Sequence, residues 1–184
     1  MINLLTDDFP TSVEIDGESF EIYTDFRDYI ELQQMLVDKE DDSIILHYIL
    51  DLFVDKIPDD YTKAVKAINE FKKGNTTDNP HSNAVKGKSR YVFSFLEDAA
   101  YIIGGFRECY GIDLIHIEYM HWWEFNALLE ALNESCELKK RIYYRSIDLS
   151  TIENKKERKR IKKIQQRITL QVKEVSDEDI ANSF

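Results

Sequence analysis

Apolar and polar residues alternate near the start of the chain, in residues 13–23 (VEIDGESFEIY). The alternation runs on both sides of Asp16-Gly17, and an Asp-Gly pair suits the positive φ angles of a tight hairpin turn. Because successive side chains of a strand point to opposite faces, the pattern is typical of two half-buried strands. It therefore predicts a short β-hairpin at about residues 13–23.

Helical spacing replaces the alternation after the hairpin, where apolar residues recur every three or four positions. It predicts three helices, at about residues 25–37, 44–57 and 60–73. Thr24 is the predicted N-cap of the first helix, and Asp42 or Ser43 that of the second. The second helix is apolar on most faces, which predicts burial, and it closes at Pro58. The third helix ends at Gly74.

The second half of the chain predicts four further helices. They are expected at about residues 90–110, between Asp113 and Asn133, at 135–146 and at 154–168. The first of them is apolar nearly all round, which makes it the predicted central core helix, and Gly111 is its predicted end. Gly104-Gly105 in its interior predicts either close packing by a neighbouring helix or a kink.

Other segments lack helical periodicity. Residues 75–89 are polar and rich in loop-forming residues, which predicts a long mobile loop. Asp148-Leu149-Ser150 predicts a break before the last helix. The expected fold is mainly α, a single-domain bundle of about six or seven helices with a small N-terminal β-hairpin. It is expected to divide into a helical domain (1–150), a basic amphipathic helix (151–173) and an acidic, flexible C-terminus (174–184).

The composition fits a compact protein of the cytoplasm. The chain has 184 residues, a mass of 21.7 kDa and 43% hydrophobic residues. A chain of this length buries enough surface to fold without disulfides or a structural metal, and its two cysteines make no disulfide framework. No apolar run approaches the ~20 residues that a membrane-spanning helix needs, and no cationic apolar leader occurs. We therefore expect a soluble protein that does not bind membranes.

Charge is distributed unevenly along the chain. The formal net charge is -11, yet residues 1–60 hold 17 acidic and three basic residues, whereas residues 139–173 hold three acidic and 13 basic residues. A protein this acidic is a poor general binder of nucleic acid, because most of its surface repels phosphate. The basic segment could be an exception.

The basic segment combines cations with an apolar stripe. Ile161, Ile164 and Ile168 share one helix face, which predicts an amphipathic basic helix. Either the stripe packs on the body of the protein while the cations are solvated or face the acidic N-terminal third, or the cations bind a partner. Direct nucleic-acid binding is the weaker alternative, because no aromatic residue is interleaved for base stacking. The candidate partner-binding cations are Lys155, Lys156, Arg158, Lys159, Arg160, Lys162 and Lys163.

Two adjacent tryptophans complete the candidate partner-binding residues. Trp122 and Trp123 lie in a predicted helix, where adjacent side chains point about 100° apart. One tryptophan is therefore expected in the core and the other on the surface. Large aromatic side chains often dominate the energy of an interface, so the exposed member is a candidate anchor for a partner.

Metal sites and catalytic centres have little support. Glu118 and His121 have the i, i+3 spacing of helical di-iron proteins, but such sites need two of these motifs. Cys109, His116, His121 and Cys136 match no familiar zinc spacing. No nucleophile elbow and no phosphate-binding loop occurs. We therefore expect no metal, no cofactor and no catalytic residue, in a protein that is not an enzyme.

Five segments, taken in order, resemble one known family, the "gene product fifteen" family of siphophages and prophages of Gram-positive bacteria. They are residues 93–102 (FSFLEDAAYI), 110–114 (YGIDL), 121–128 (HWWEFNAL), 144–149 (YRSIDL) and 155–161 (KKERKRI). The resemblance runs over about residues 1–170. The chain departs from the family pattern at Ile103-Gly104-Gly105, where bulkier or alanine-like residues are expected.

The resemblance implies a protein of the phage tail module, encoded between the genes for the major tail protein and the tape measure protein. Tail assembly chaperones are encoded there; they are thought to coat the helical tape measure, help recruit tail-tube subunits and leave before the virion is complete. The expected partners are the tape measure protein and the major tail protein, with self-association as a further alternative. The expected location is the cytoplasm of the infected or lysogenic host, outside the mature virion. A structural virion component and an accessory nucleic-acid binder are the alternative functions.

Overall fold

The computed structural model describes residues 6–74 and 92–171, which belong to two compact units. Unit 1 comprises Met1–Asn79 and His116–Glu130, and unit 2 comprises Pro80–Ile115 and Ala131–Phe184. Each unit thus joins two stretches that are separated in sequence. The predicted segments 1–150 and 151–173 remain a prediction. The loop predicted at 75–89 and the acidic C-terminus predicted at 174–184 lie outside the described residues.

The predicted fold class is confirmed: the described residues are mainly helical, with one small antiparallel hairpin. The elements are β1 (Ser12–Ile15), β2 (Glu18–Glu21), α1 (Phe26–Asp38), α2 (Asp42–Asp51), α3 (Tyr61–Lys73), α4 (Ala99–Tyr110), α5 (Trp122–Glu130), α6 (Glu137–Ser146) and α7 (Lys155–Ile168), with a short 3₁₀ helix (Leu149–Thr151) between α6 and α7. None of the helices in the described stretches is both long and apolar enough to span a membrane.

Unit 1 begins with the predicted hairpin. Val13 pairs with Phe20, and Asp16 and Gly17 both have positive φ angles (55° and 81°), as the turn requires. The hairpin packs on α3, and the core of the unit is formed by side chains of α1, α3 and α5. Tyr29 and Phe125 are completely buried there, and the rings of Phe26 and Phe125 stack at 4.6 Å.

The predicted Thr24 cap of α1 is wrong, because Asp25 caps this helix. The Asp25 carboxylate accepts a hydrogen bond from the backbone N–H of Arg27 (3.0 Å) and a second from that of Met120 (3.2 Å). Thr24 is used in tertiary contacts instead. Its hydroxyl bonds that of Tyr119 at 2.7 Å, and its carbonyl accepts from the N–H of Trp122. Thr24 therefore joins the hairpin region to the segment before α5.

The second helix is shorter and more exposed than predicted. It ends at Asp51 rather than near residue 57, and its cap is Asp41 rather than Asp42 or Ser43. The chain leaves the helix because Leu52 and the residues after it pair with the end of the hairpin; Phe53, for example, forms an isolated bridge with Ile22. Within α2 itself only Ile49 is buried, so the burial predicted from its apolar composition is wrong.

Unit 2 is built from α4, α6 and α7. The helix predicted from residue 90 begins only at Ala99, after a turn at residues 95–98. A buried ion pair explains the late start. The carboxylate of Asp98 accepts from the N–H of Ser94 (3.1 Å) and from both terminal nitrogens of Arg145 (2.6 and 2.9 Å). These bonds hold the segment before Ala99 in a turn.

The two adjacent glycines of α4 have different surroundings. A Cβ on Gly105 would lie 3.1 Å from a methyl group of Leu132, whereas a Cβ on Gly104 would meet nothing within 4 Å. The close packing predicted at this pair therefore occurs at Gly105 alone. Its partner lies in the turn that follows α5 rather than in a neighbouring helix.

The helix predicted between Asp113 and Asn133 is also shorter than expected. It starts at Trp122, because the preceding residues pair with the chain just before α1, where Asp25 forms an isolated bridge with His121. It ends at Glu130, and Asn133 instead accepts from the N–H of Ser135 just before α6. The predictions for α3 and α6 are confirmed to within two residues at each end, and α7 occupies the predicted 154–168 stretch but not the whole 151–173 segment.

Candidate partner-binding surface

Helix α7 carries the cations that the sequence singled out. Asn154 caps it by accepting from the N–H groups of Lys156 (2.9 Å) and Glu157 (3.1 Å). Ile161 and Gln165 are buried, while Ile164 and Ile168 are half-buried, so the predicted apolar stripe faces unit 2. Eight cations occupy the rest of the surface of the helix, which we call the basic face: Lys155, Lys156, Arg158, Lys159, Arg160, Lys162, Lys163 and Arg167. At 100° per residue they span roughly 200° of its circumference.

Polar contacts fix the orientation of α7 within unit 2. The buried amide of Gln165 donates to the carbonyls of Tyr144 and Ile147, both at 2.8 Å, at the end of α6. Arg145, which also pairs with Asp98, donates through Nε to the carbonyl of Ile168 (2.6 Å). Because both contacts are made from the buried side of α7, most of the basic face points away from the rest of unit 2; among the described residues, Arg160 contacts Tyr144 of α6.

Some of the cations have local partners. Arg160 pairs with Glu157 at 2.6 Å, and its guanidinium lowers the pKa of that carboxyl group. Arg158 donates to the carbonyl of Ile152 before the helix. Within residues 6–74 and 92–171, no ion pair engages the five lysines Lys155, Lys156, Lys159, Lys162 and Lys163. These five lysines are therefore open to a partner.

The two tryptophans split between core and surface, as predicted. Trp122 is 4% exposed and Trp123 is half-buried. Both indole N–H groups donate to the end of α3: Trp122 to the carbonyl of Lys72 and Trp123 to that of Phe71, each at 2.9 Å. Both carbonyls lie in the last turn of α3, where the i+4 donor is missing, and that of Phe71 also accepts from the N–H of Gly74. The tryptophans therefore bind α5 to α3, and Trp123 remains partly exposed to solvent.

His121 has a structural role. The backbone N–H of Trp123 can only donate, so Nδ1 of His121 accepts from it (3.0 Å), and Nε2 donates to the carbonyl of Pro10 (3.0 Å). The imidazole also stacks on Phe9 at 4.8 Å. Burial lowers the pKa of His121, in keeping with a neutral ring. No cluster of three or more potential metal ligands occurs in the part of the chain that the structure describes.

Unit 1 has an open cleft that the sequence did not indicate. It encloses about 320 Å³ and is lined by Tyr23, Asp28, Tyr48, Asp51 and Leu52; we call it the α1–α2 cleft. The hydroxyl of Tyr48 donates to the carbonyl of Asp28 at 3.1 Å, which holds α2 against α1. Burial, together with the neighbouring carboxylates of Asp25 and Glu31, raises the pKa of Asp28. The only feature of the sequence that bears on this cleft is the excess of acidic residues in the N-terminal third of the chain.

Comparison with known proteins gives one match. A family model described as Bacteriophage Gp15 protein matches residues 5–170, which confirms the resemblance over most of the chain. Neither a curated protein nor a solved structure matches.

Proposed function

Since the chain belongs to the Bacteriophage Gp15 protein family, and thus to the structural or assembly-related proteins of phages, we propose that it is a tail assembly chaperone that binds the tape measure protein, the major tail protein or both. It acts without catalysis, in the cytoplasm of the infected or lysogenic cell, and leaves before the virion is complete. The position in the tail module is what the resemblance implies.

The basic face of α7 carries this proposal. One side of the helix is anchored in unit 2 by Gln165 and Arg145, so the lysines on its other side are presented on a rigid element. Because the helix is already fixed in place, less conformational entropy is lost when a partner binds. A row of like charges selects a partner with the opposite charge and speeds the encounter. The face therefore suits an acidic stretch on an elongated helical protein.

The test is affinity capture after co-expression with the neighbouring tape measure and major tail proteins. The variant reverses two lysines of one ridge, Lys155→Glu with Lys159→Glu. A matched control reverses two exposed lysines elsewhere, Lys66→Glu with Lys140→Glu, so both proteins change charge equally. We expect the wild-type protein and the control to capture a tail protein at moderate salt, and the α7 variant to lose most of the capture. Equal capture by all three would place the contact elsewhere, and capture of neither tail protein would contradict the proposal.

Mass spectrometry of purified virions separates a chaperone from a structural virion component. A chaperone that leaves before completion is absent from the particle or present only in traces. A stoichiometric amount in finished virions would instead assign the chain to the tail or to the head–tail junction. An accessory nucleic-acid binder would show salt-dependent DNA affinity that the α7 variant loses. We expect no such affinity, because unit 1 carries 21 acidic and seven basic residues among its described residues.

A further inference from the structure

The α1–α2 cleft combines features that favour a cation. Its lining residues include two acidic residues, Asp28 and Asp51, and two aromatic residues, Tyr23 and Tyr48. Aromatic faces attract ammonium and guanidinium groups, and this attraction adds to that of the carboxylates. Tyr23 is 52% exposed, so the cleft is reached from solvent.

The end of α2 adds further negative charge to the cleft. The carboxyl end of a helix carries a partial negative charge, and a basic residue in the last turn normally offsets it. The last turn of α2 has no basic residue, and its final residue is Asp51. Asp51 therefore lies where a carboxylate is unfavourable and a cation is favourable.

Asp28 has a cationic neighbour, Arg27, whose charge offsets part of the rise in its pKa. No ion pair reaches Asp28 or Asp51 in the described stretches 6–74 and 92–171. The pKa of Asp28 is raised by burial and by the neighbouring Asp25 and Glu31, so ionisation of its carboxyl group has a free-energy cost. A cation in the cleft would remove this cost.

The same chain carries suitable cations, the lysines of α7. The lysines of α7 have no ion-pair partner within the described residues, and they lie on a helix that is held from its opposite side. Unit 1 has a formal charge of -14 over its described residues, whereas the described part of unit 2 has +4. Two copies therefore carry complementary surfaces of opposite charge. A contact between different surfaces of identical chains is heterologous, and it joins copies head to tail.

We propose that copies of this protein associate head to tail, with a lysine of the basic face of α7 from one copy inserted in the α1–α2 cleft of unit 1 of the next. The occupant of the cleft is thus a second copy of this chain. This association needs no other phage protein. An acidic partner on the same basic face competes with it, so binding of such a partner releases the copies from one another.

Sedimentation of the isolated protein over a range of concentrations tests the proposal. We expect concentration-dependent association at low salt that is lost near 1 M NaCl, where the Debye length is about 3 Å. Asp51→Lys is the decisive variant, because lysine suits the end of α2 and should leave the fold intact. We expect it to weaken association about tenfold or more, a loss of about 1.4 kcal/mol or more. The matched control Asp55→Lys, outside the cleft, should associate as the wild-type protein does.

Zero-length carbodiimide coupling identifies the residues in contact. In a mixture of ¹⁵N-labelled and unlabelled protein, we expect Asp28 or Asp51 to be linked to a lysine of α7 in peptide pairs that combine both labels. Links within one chain only would overturn the proposal, as would a wild-type protein that stays monomeric at low salt or an Asp51→Lys variant that associates normally. Because no tail protein is present in these experiments, their failure leaves the proposed chaperone function untouched.

Discussion

Single residues in unit 2 determine where helices begin and how they are held together. Asp98 is completely buried and Arg145 is 4% exposed, and the two form a bidentate ion pair across 47 positions of the chain. Arg145 also donates to the carbonyls of Val92 and Ile168, so one guanidinium binds three segments. A buried ion pair is not strongly stabilising in itself, but the loss of one partner leaves an unpaired charge in the interior.

Replacement of Arg145 should therefore be strongly destabilising. We expect Arg145→Met to lower the free energy of unfolding by about 3–5 kcal/mol, because the Asp98 carboxylate remains buried without a cation. Urea unfolding followed by circular dichroism measures the loss. The control is Arg107→Met, which removes the exposed Arg107–Asp113 pair and should cost no more than about 1 kcal/mol. Similar losses in the two variants would show that the buried pair has no special role.

His121 makes stability depend on pH. Its pKa in the folded protein is lowered by burial, so the folded state binds a proton less readily than the unfolded chain, whose histidine pKa is about 6.5. The stabilising contribution is complete above this value and is lost as the pH falls through the lower pKa of the folded protein. Protonation of Nδ1 also removes the acceptor for the N–H of Trp123.

We therefore expect the melting temperature to fall between pH 7.5 and pH 5.5, with part of this slope due to His121. Asparagine is a good N-cap and does not titrate, so His121→Asn should retain the acceptor for Trp123 and flatten the slope. The control is His47→Gln, at an exposed histidine of α2, which should keep the wild-type slope. An unchanged slope in His121→Asn would mean that other groups cause the pH dependence.

At the scale of the element, the two glycines of α4 distinguish the effect of helix propensity on stability from the effect of packing. Glycine in a helix interior costs about 0.5–1 kcal/mol relative to alanine. At Gly104, where an added Cβ meets nothing within 4 Å, we expect Gly104→Ala to stabilise the protein by about that amount. At Gly105 the space is occupied by Leu132, so Gly105→Leu should destabilise by about 1–3 kcal/mol through overpacking. Urea unfolding measures both, and the same sign at both positions would contradict the packing.

The helices whose ends are set by local residues were predicted well. Helix α3 lies between its caps Asp60 and Gly74, and Asn154 caps the start of α7, so these ends are set by adjacent residues. Helices α2, α4 and α5 were predicted too long. Their apolar patterns continue past the true ends because non-helical segments in this fold are also buried, such as Leu52 and Phe53 after α2. Periodicity cannot distinguish a buried non-helical segment from a helix.

At the scale of the whole molecule, charge is separated between the two units. Unit 1 has a formal charge of -14 over its described residues, and such an excess of like charge opposes the compact state. Salt screens this repulsion. Both tryptophans of the chain lie in unit 1, so intrinsic fluorescence reports its unfolding.

We expect the midpoint of urea unfolding, followed by tryptophan fluorescence, to rise when NaCl is raised from low concentration to about 0.5 M, because the repulsion within unit 1 is screened. The measurement uses the Asp51→Lys variant, so that a change in association does not contribute. A midpoint that stays constant or falls would mean that ion pairs, rather than repulsion, dominate unit 1.

The sequence alone determined the family, the mainly helical class, the hairpin, the amphipathic basic helix and the split of Trp122 and Trp123 between core and surface. The family follows from the resemblance of five segments, and the other features follow from side-chain spacing and from residues close to one another in the chain. The tertiary structure decided what depends on distant residues: the Asp98–Arg145 pair, the tryptophans that bind the end of α3, the bond from Met120 to Asp25 and the α1–α2 cleft. Each of these joins positions far apart in sequence. Local spacing contains no information about which buried polar group will meet which partner, because that meeting is set by the packing of whole elements.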